Sequence, residues 1–452
     1  MPVQATTHKA RSMRAPTLAL IFLAMPAAAQ DLRQIYRDAK AYDAPYAAAR
    51  HALRAGQEKL PQGRALILPT LNLSGSATNS RTETDPHNSS AGPATVRDGR
   101  SYGYSLSLSQ PIYRPQNTLQ YSQAEFQVKQ AEAVFGQASQ DLIVRAAQAY
   151  FDVLAAQDTL MLVQAQKAAI GEQLAQAKRN FEVGTATITD THEAQARYDI
   201  VVSQEIAALS DFETKRSALQ QITGKPYAAL KPLRRQVKLP APNPASMQTW
   251  VELAEKQGYP VQIQETATEI AKLEAKRAKA GHHPTLDFVA SYGMTSQSSA
   301  SSLAAGPSDV TSATFGLQLG LPLYQGGSIS SREREAAALH EKSMQDLENA
   351  RRSQALSARQ TYLSVTNGIA QIGALEQALV SSQSALDSNK LGYEVGVRIN
   401  IDVLNAQQQL FSTRRDLAVA RYNTITSHLR LKAAAGSLSE EDLDEVNRAL
   451  EP

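Results

Sequence analysis

Few side chains in this sequence are placed to do chemistry, and their spacing argues against catalysis. His282 and His283 are adjacent just ahead of Pro284. Neighbouring side chains on a chain entering a strand point apart, so they do not converge on one ion. His192 stands alone among polar residues near a helical turn and reads as solvated. Glu182 and Glu394 recur beside Gly184 and Gly396, a matched pair of turns. The chain has no cysteine, which removes disulfides, thiolate metal sites, cysteine nucleophiles and a cysteine-borne lipid anchor. No glycine loop precedes a helix to cradle phosphate, no nucleophile elbow is present, and no carboxylate pair has acid–base spacing. Neither metal nor other cofactor is expected, and no catalytic residue is assigned.

The elements that hold these residues are written twice. Tyr150-Phe151-Asp152-Val153-Leu154 is echoed by Tyr362-Leu363-Ser364-Val365, and Phe181-Glu182-Val183-Gly184 by Tyr393-Glu394-Val395-Gly396. Asp190, Ala194-Gln195 and Gly224 recur at the same offset as Asp402, Ala406-Gln407 and Gly436. Nearer the N-terminus the offset drifts slightly, with Pro69-Thr70-Leu71 matching Pro284-Thr285-Leu286 and Pro111-Ile112-Tyr113 matching Pro322-Leu323-Tyr324. Such self-similarity divides the chain into a first repeat (30–224), a linker rich in Pro, Lys and Arg (225–247), a second repeat (248–436) and a C-terminal segment (437–452). Each repeat is expected to run helix, strand, polar loop, strand, very long helix, turn, helix.

The strands alternate. Tyr102, Tyr104, Leu106 and Leu108 interleave with Gly103, Ser105, Ser107 and Ser109, and Phe315, Leu317, Leu319 and Leu321 with Gly316, Gln318 and Gly320. Their partner strands begin near Leu66 and Thr285, across polar loops at 79–100 and 297–312. The helices instead carry seven-residue rows: Ala358, Val365, Ile372, Leu379, Leu386 and Tyr393 in one repeat, Ala146, Val153, Leu160, Leu174 and Phe181 in the other, broken by Lys167. A sustained seven-residue period predicts coiled-coil packing. The stretch 116–181 holds no proline and could reach roughly 100 Å.

Composition bounds the rest. With 42% hydrophobic and 6% aromatic residues, long packed helices suit the chain better than compact enzyme domains. Residues 1–29 read as a secretory signal: Lys9, Arg11 and Arg14, an apolar stretch too short to span a bilayer, then Ala27-Ala28-Ala29. Those three basic residues account for the whole excess of 46 basic over 43 acidic residues, so the rest is near neutral and no nucleic-acid partner is expected. One-sided strands fit a soluble sandwich as well as a barrel. Export, aromatics near strand ends and small polar opposite faces favour a membrane barrel. Four strands do not close a barrel, so oligomerisation is required.

The duplicated layout, Leu321-Pro322-Leu323-Tyr324-Gln325-Gly326-Gly327, Ile188-Thr189-Asp190, Gln221-Ile222-Thr223-Gly224 and Asp402-Val403-Leu404 together resemble the TolC family. The resemblance runs to Gly436-Ser437-Leu438-Ser439-Glu440-Glu441-Asp442-Leu443. It implies a mainly α protein with a membrane β-barrel: a homotrimeric twelve-stranded outer-membrane β-barrel continued by a long periplasmic coiled-coil α-barrel. The linker and C-terminal segment would form an equatorial girdle. The implied function is a passive exit duct for type I protein secretion, multidrug efflux or both. The implied partners are outer-membrane lipid, a periplasmic adaptor (membrane fusion) protein and an inner-membrane ABC or proton-driven transporter.

The resemblance also implies a gate at the periplasmic helix tips, carried by Thr189, Asp190, Tyr393 and Arg398, with Arg398 forking onto Asp190 and Tyr393 donating a hydrogen bond. Pore-constricting positions fall on Asp402 and Asn405. The second is neutral here, so weaker cation preference is expected than from two acidic rings. Glu182 and Glu394 could tune entry or docking. A periplasmic coiled-coil adaptor is the alternative, against which the twice-written strand pairs speak. A secreted enzyme lacks any visible site.

Overall fold

The computed structural model describes residues 29–85, 95–234, 237, 239–298 and 307–451. The expected signal segment lies, but for its last residue, outside them. Three helices, α1 (Leu32–Tyr42), α2 (Ala44–Gln57) and α3 (Lys59–Ala65), lead into strands β1 (Thr70–Thr84) and β2 (Thr95–Tyr113). The long α4 (Pro115–Glu182) and its return α5 (Ile188–Thr223) follow. Helices α6 (Met247–Gln257) and α7 (Tyr259–Lys279) then lead to β3 (Thr285–Gln297), β4 (Ser308–Gly320), α8 (Ser328–Glu394) and α9 (Asn400–Ala434). Helix α10 (Glu440–Asn447) ends the chain. Strand, strand, long helix and shorter helix thus occur twice in the same order.

The strands form one antiparallel sheet in the order β1-β2-β3-β4. Two expectations need correction. The first strand starts at Thr70, not near Leu66, because α3 runs on into a turn in which the Leu66 N–H donates to the Gly63 carbonyl. The loops are also shorter than 79–100 and 297–312, since pairing continues to Thr84↔Thr95 and Gln297↔Ser308. Ladder bonds come from the backbone, and Ser- and Thr-rich stretches sustain them despite their polarity. The loop centres, 86–94 and 299–306, lie outside the described residues.

Proline marks the passage from sheet to helix. Pro111 lies inside β2, where the register with β3 slips between Pro111 and Tyr113, and Pro115 opens α4. At that slip Arg114 grips Asp287 of β3 through two bonds of 2.7 and 2.5 Å. Asp287 is almost fully buried, so this pair fixes where sheet ends and helix begins across the two halves.

The long helices, α4 of 68 residues and α8 of 67, each extend about 100 Å. Of the predicted row on α8, Ala358, Val365, Ile372 and Leu386 are buried, while Leu379 and Tyr393 pack at its edge. Lys167, which interrupts the row on α4, ties the hairpin instead through Glu205 of α5 at 2.7 Å. Both hairpins turn on glycines in the left-handed region, Gly184 at φ 78° and Gly396 at φ 79°, a conformation that a Cβ disfavours.

The largest core gathers around the middle of α4 and the C-terminal half of α9. Leu142, Tyr150, Phe151 and Leu154 of α4 meet Leu32 and Ile35 of α1, Leu429 of α9, Leu443 of α10 and Leu450. The linker and the C-terminal segment close over it: Leu233 bridges Leu450, the Glu451 N–H donates to the Pro232 carbonyl, and Tyr150 Oη donates to the Lys231 carbonyl at 2.7 Å. No described helix is long and apolar enough to cross a membrane. The sheet carries the exposed apolar surface instead, with Leu73 75% and Phe315 80% accessible in the single chain. So much contiguous apolar strand surface requires lipid or a neighbour against it.

Candidate functional site

The free ends of the two hairpins bring the predicted gate residues to one region. Helix α5 starts through a capping box. The Asp190 N–H donates to Thr187 Oγ1 at 3.2 Å, and the Thr187 N–H and hydroxyl donate to Asp190 Oδ2 at 2.9 and 2.7 Å. A carboxylate at that position also meets the positive end of the helix dipole. Thr189 is exposed beside it.

Across the tips, Tyr393 near the end of α8 packs against Leu386 and Val403, and its Oη accepts a hydrogen bond from Asn180 Nδ2 of α4 at 3.1 Å. Tyr393 is therefore an acceptor here, not the donor expected. Arg398 lies in the turn, its stem against Gly392, with its guanidinium 3.6 Å from Asp402 one turn into α9. The fork between Arg398 and Asp190 is absent within the protomer, because each group has a nearer partner on its own hairpin. A bond between residues three or four apart orders far less chain than one between two hairpins, so it wins where both are available.

Asn405 is engaged in a way the sequence did not announce. Its Oδ1 accepts from Arg197 Nη2 at 2.9 Å, and Gln408 Oε1 accepts from Arg197 Nη1 at 2.7 Å. Arg197 belongs to α5, so one side chain spans the two hairpins. Asn180, Arg197 and Gln408 were all missed. The available signal was position alone, since Arg197 stands two helical turns beyond Asp190 on the same face.

Behind these polar contacts lies an apolar seam in which Leu404 and Ile401 of α9 meet Ile170, Leu174 and Val201 of the other hairpin. On the same stretch of α9, Asn400 and Gln407 are also buried, and neither Asn400 side-chain polar atom, nor Gln407 Oε1, has a partner among the described residues. Each such atom costs about 1–3 kcal/mol, so that stretch is packed less favourably than a fully apolar one.

Further from the tips, α4 and α9 are joined by Tyr422, whose hydroxyl donates to Asp158 at 2.6 Å and whose ring stacks on Phe151 at 5.6 Å. Burial raises the Asp158 carboxyl above its ordinary pKa, partly offset by that hydrogen bond. Burial, then the charge of Asp158, raises Tyr422 likewise. As for the adjacent histidines, His282 reaches only Glu333, at 3.8 Å. No group of three or more possible ligands is assembled among the described residues.

The geometry is that of two long helical hairpins whose tips meet through a few polar contacts over an apolar seam. The chain belongs to the family described as outer membrane efflux protein, whose profile matches residues 35–225 and 252–437; it is a non-enzymatic transport protein of the outer membrane that extends into the periplasm. Among its relatives, the outer membrane protein TolC of Vibrio cholerae is 33% identical over 93% of this chain and 94% of that protein. The proteases secretion protein PrtF of Dickeya chrysanthemi is 33% identical over 89% of this chain and 87% of its own. Among solved structures, the fold matches the Campylobacter jejuni CmeC outer membrane channel with a TM-score of 0.77 at 16% identity, covering 93% of this chain and 90% of that one. VceC of Vibrio cholerae matches at 0.75 and 19%, over 90% and 96%.

Proposed function

We propose that three copies of this chain assemble into one outer-membrane exit duct for type I protein secretion, efflux of small toxic compounds, or both. The observation that carries this reading is a four-stranded sheet, open at β1 and β4 and apolar on an exposed face, continued directly by helical hairpins about 100 Å long. Open edges and lipid-facing side chains are tolerated only when neighbouring copies close the ring. Three copies joined β4 to β1 supply twelve strands, and the long helices continue the wall into the periplasm.

In this reading the segments that meet over the mid-helix core, 225–247 and 437–452, form the girdle around the duct. The hairpin tips form the periplasmic entrance. Thr189, Asp190, Tyr393 and Arg398 hold it closed, with Asp190 and Arg398 free to add bonds across subunits. Asp402 and Asn405 line the constriction. A periplasmic adaptor and an inner-membrane ABC or proton-driven transporter dock at the tips and supply the energy. The relatives named for protease secretion support protein cargo, and those named for efflux support small molecules. The match to outer-membrane channels over nearly the whole chain disfavours the adaptor alternative.

The purified protein in planar bilayers is expected to give discrete conductance steps with a modest cation preference, because three Asp402 carboxylates share the constriction and Arg398 offsets part of their charge. Asp402→Asn is expected to move the reversal potential towards zero in a salt gradient. Absence of conductance steps from correctly inserted protein contradicts the reading.

A further inference from the structure

We infer that Arg197 is the clasp that closes the entrance in this chain: a positioning residue on α5 that holds α9, and with it the second hairpin, against the first. The inference rests on the exit-duct reading and adds a residue to it. Three observations on different residues converge.

The first is geometric. Arg197 is half-buried, and its guanidinium makes two short bonds, 2.7 and 2.9 Å, to acceptors one helical turn apart on α9. Asn405 and Gln408 present their oxygens at the spacing of a guanidinium fork, so both bonds form from one planar group and resist rotation of α9 about its axis. The other direct side-chain tie between the two tips is the Asn180–Tyr393 bond at 3.1 Å, which runs to α8 and leaves α9 free to turn.

The second is the engagement of the charged residues. Asp190 is held by Thr187, and Arg398 sits beside Asp402. Opening the tips therefore breaks neither contact within a protomer, whereas separating α5 from α9 breaks both Arg197 bonds.

The third is the burial of polar groups on α9. Asn400 and Gln407 leave unpartnered atoms buried on the stretch of α9 that carries Asn405, so that stretch is packed less favourably than a fully apolar one. These atoms are enclosed within a single chain, so a neighbouring subunit reaches them only if α9 moves. Arg197 bonds to Asn405 and Gln408 on that same stretch, where its two bonds supply polar contacts that the buried amides do not make. Because its acceptors are neutral amides, salt weakens the clasp less than it would an ion pair.

The test uses the full-length trimer in bilayers, where the chain's lack of cysteine gives a clean background for thiol chemistry. Arg197→Ala is expected to raise single-channel conductance or open time about three- to tenfold, and Arg197→Lys, which offers no planar fork, to recover only part of the closure. Asn405→Ala with Gln408→Ala should reproduce the Arg197→Ala effect and add nothing to it when combined. A reducible bis-methanethiosulfonate linker across Arg197→Cys and Gln408→Cys should return the pore to its low-conductance state, and a reductant should reopen it. A merely structural arginine would not give that reversible closure. A conducting wild type whose Arg197→Ala form is unchanged, or a linked pair that stays open, overturns the clasp while leaving the channel reading intact. A correctly inserted wild type that never conducts overturns both.

Discussion

Replacing Tyr393 by Phe and Arg398 by Ser together is expected to hold the periplasmic entrance open and raise the conductance of single trimers by about tenfold or more. Phe removes the oxygen that accepts from Asn180, and Ser removes the only cation placed in the α8–α9 turn. Exposed links of this kind contribute about 0.5–1 kcal/mol each. The Asn180–Tyr393 link, one per protomer in a threefold ring, amounts to about 1.5–3 kcal/mol, or roughly one to two powers of ten in the closed-to-open ratio if the subunits open together, and Arg398 adds whatever it bonds across subunits. Bilayer recording of the double variant beside each single one measures this. Each single variant should show a part of the rise, because neither contact alone accounts for the closure. Unchanged conductance in the double variant would falsify the assignment of these two residues to the gate.

Asp43→Ala is expected to be clearly destabilising, costing about 1–3 kcal/mol, because it removes a helix cap and leaves the partly exposed Arg145 without its partner. Asp43 is only 4% exposed and does two jobs. It caps α2 by accepting from the Tyr46 N–H at 2.9 Å, and it takes both Arg145 nitrogens at 3.0 and 2.8 Å. Helices α1 and α2 are thereby fixed to α4 beside the main core. Burial opposes the Asp43 carboxylate, but the bonds from Arg145 and Tyr46, with the charge of Arg145, outweigh it and hold its pKa below the ordinary value. A lowered folded-state pKa gives stability that is present above about pH 4 and lost as pH falls through the folded value. Denaturant midpoints of wild type and Asp43→Ala should therefore differ most at neutral pH and converge in acid. A difference that stays constant down to pH 2 would show that the ion pair contributes little.

Much of the helical architecture was legible because coiled-coil packing writes itself at fixed spacing. The row from Ala358 to Tyr393 predicted which side of α8 is covered, and Gly184 and Gly396 marked both turns where a positive φ is needed. Strand ends were less legible. Backbone pairing carries β1 and β2 through Thr84 and Thr95, and polar side chains gave no sign of it. At the tips the residue types were legible and their partners were not. Asp190 follows Thr187 at capping-box spacing, and that local bond takes the carboxylate before any distant arginine reaches it. Arg197 on a helix looks like any solvated arginine. Only the crossing of α5 over α9 brings Asn405 and Gln408 beneath it. Asn400 and Gln407 are polar yet buried on α9, a mismatch that packing alone would not select.

In the trimeric reading one chain is a third of a closed wall. That reading is tested most directly by extracting the protein from outer membranes in mild detergent and measuring its mass without the detergent contribution. The expected particle is three chains of 48.9 kDa less the signal segment, found in the outer-membrane fraction and released only by detergent. A monomer that is soluble without detergent would contradict it.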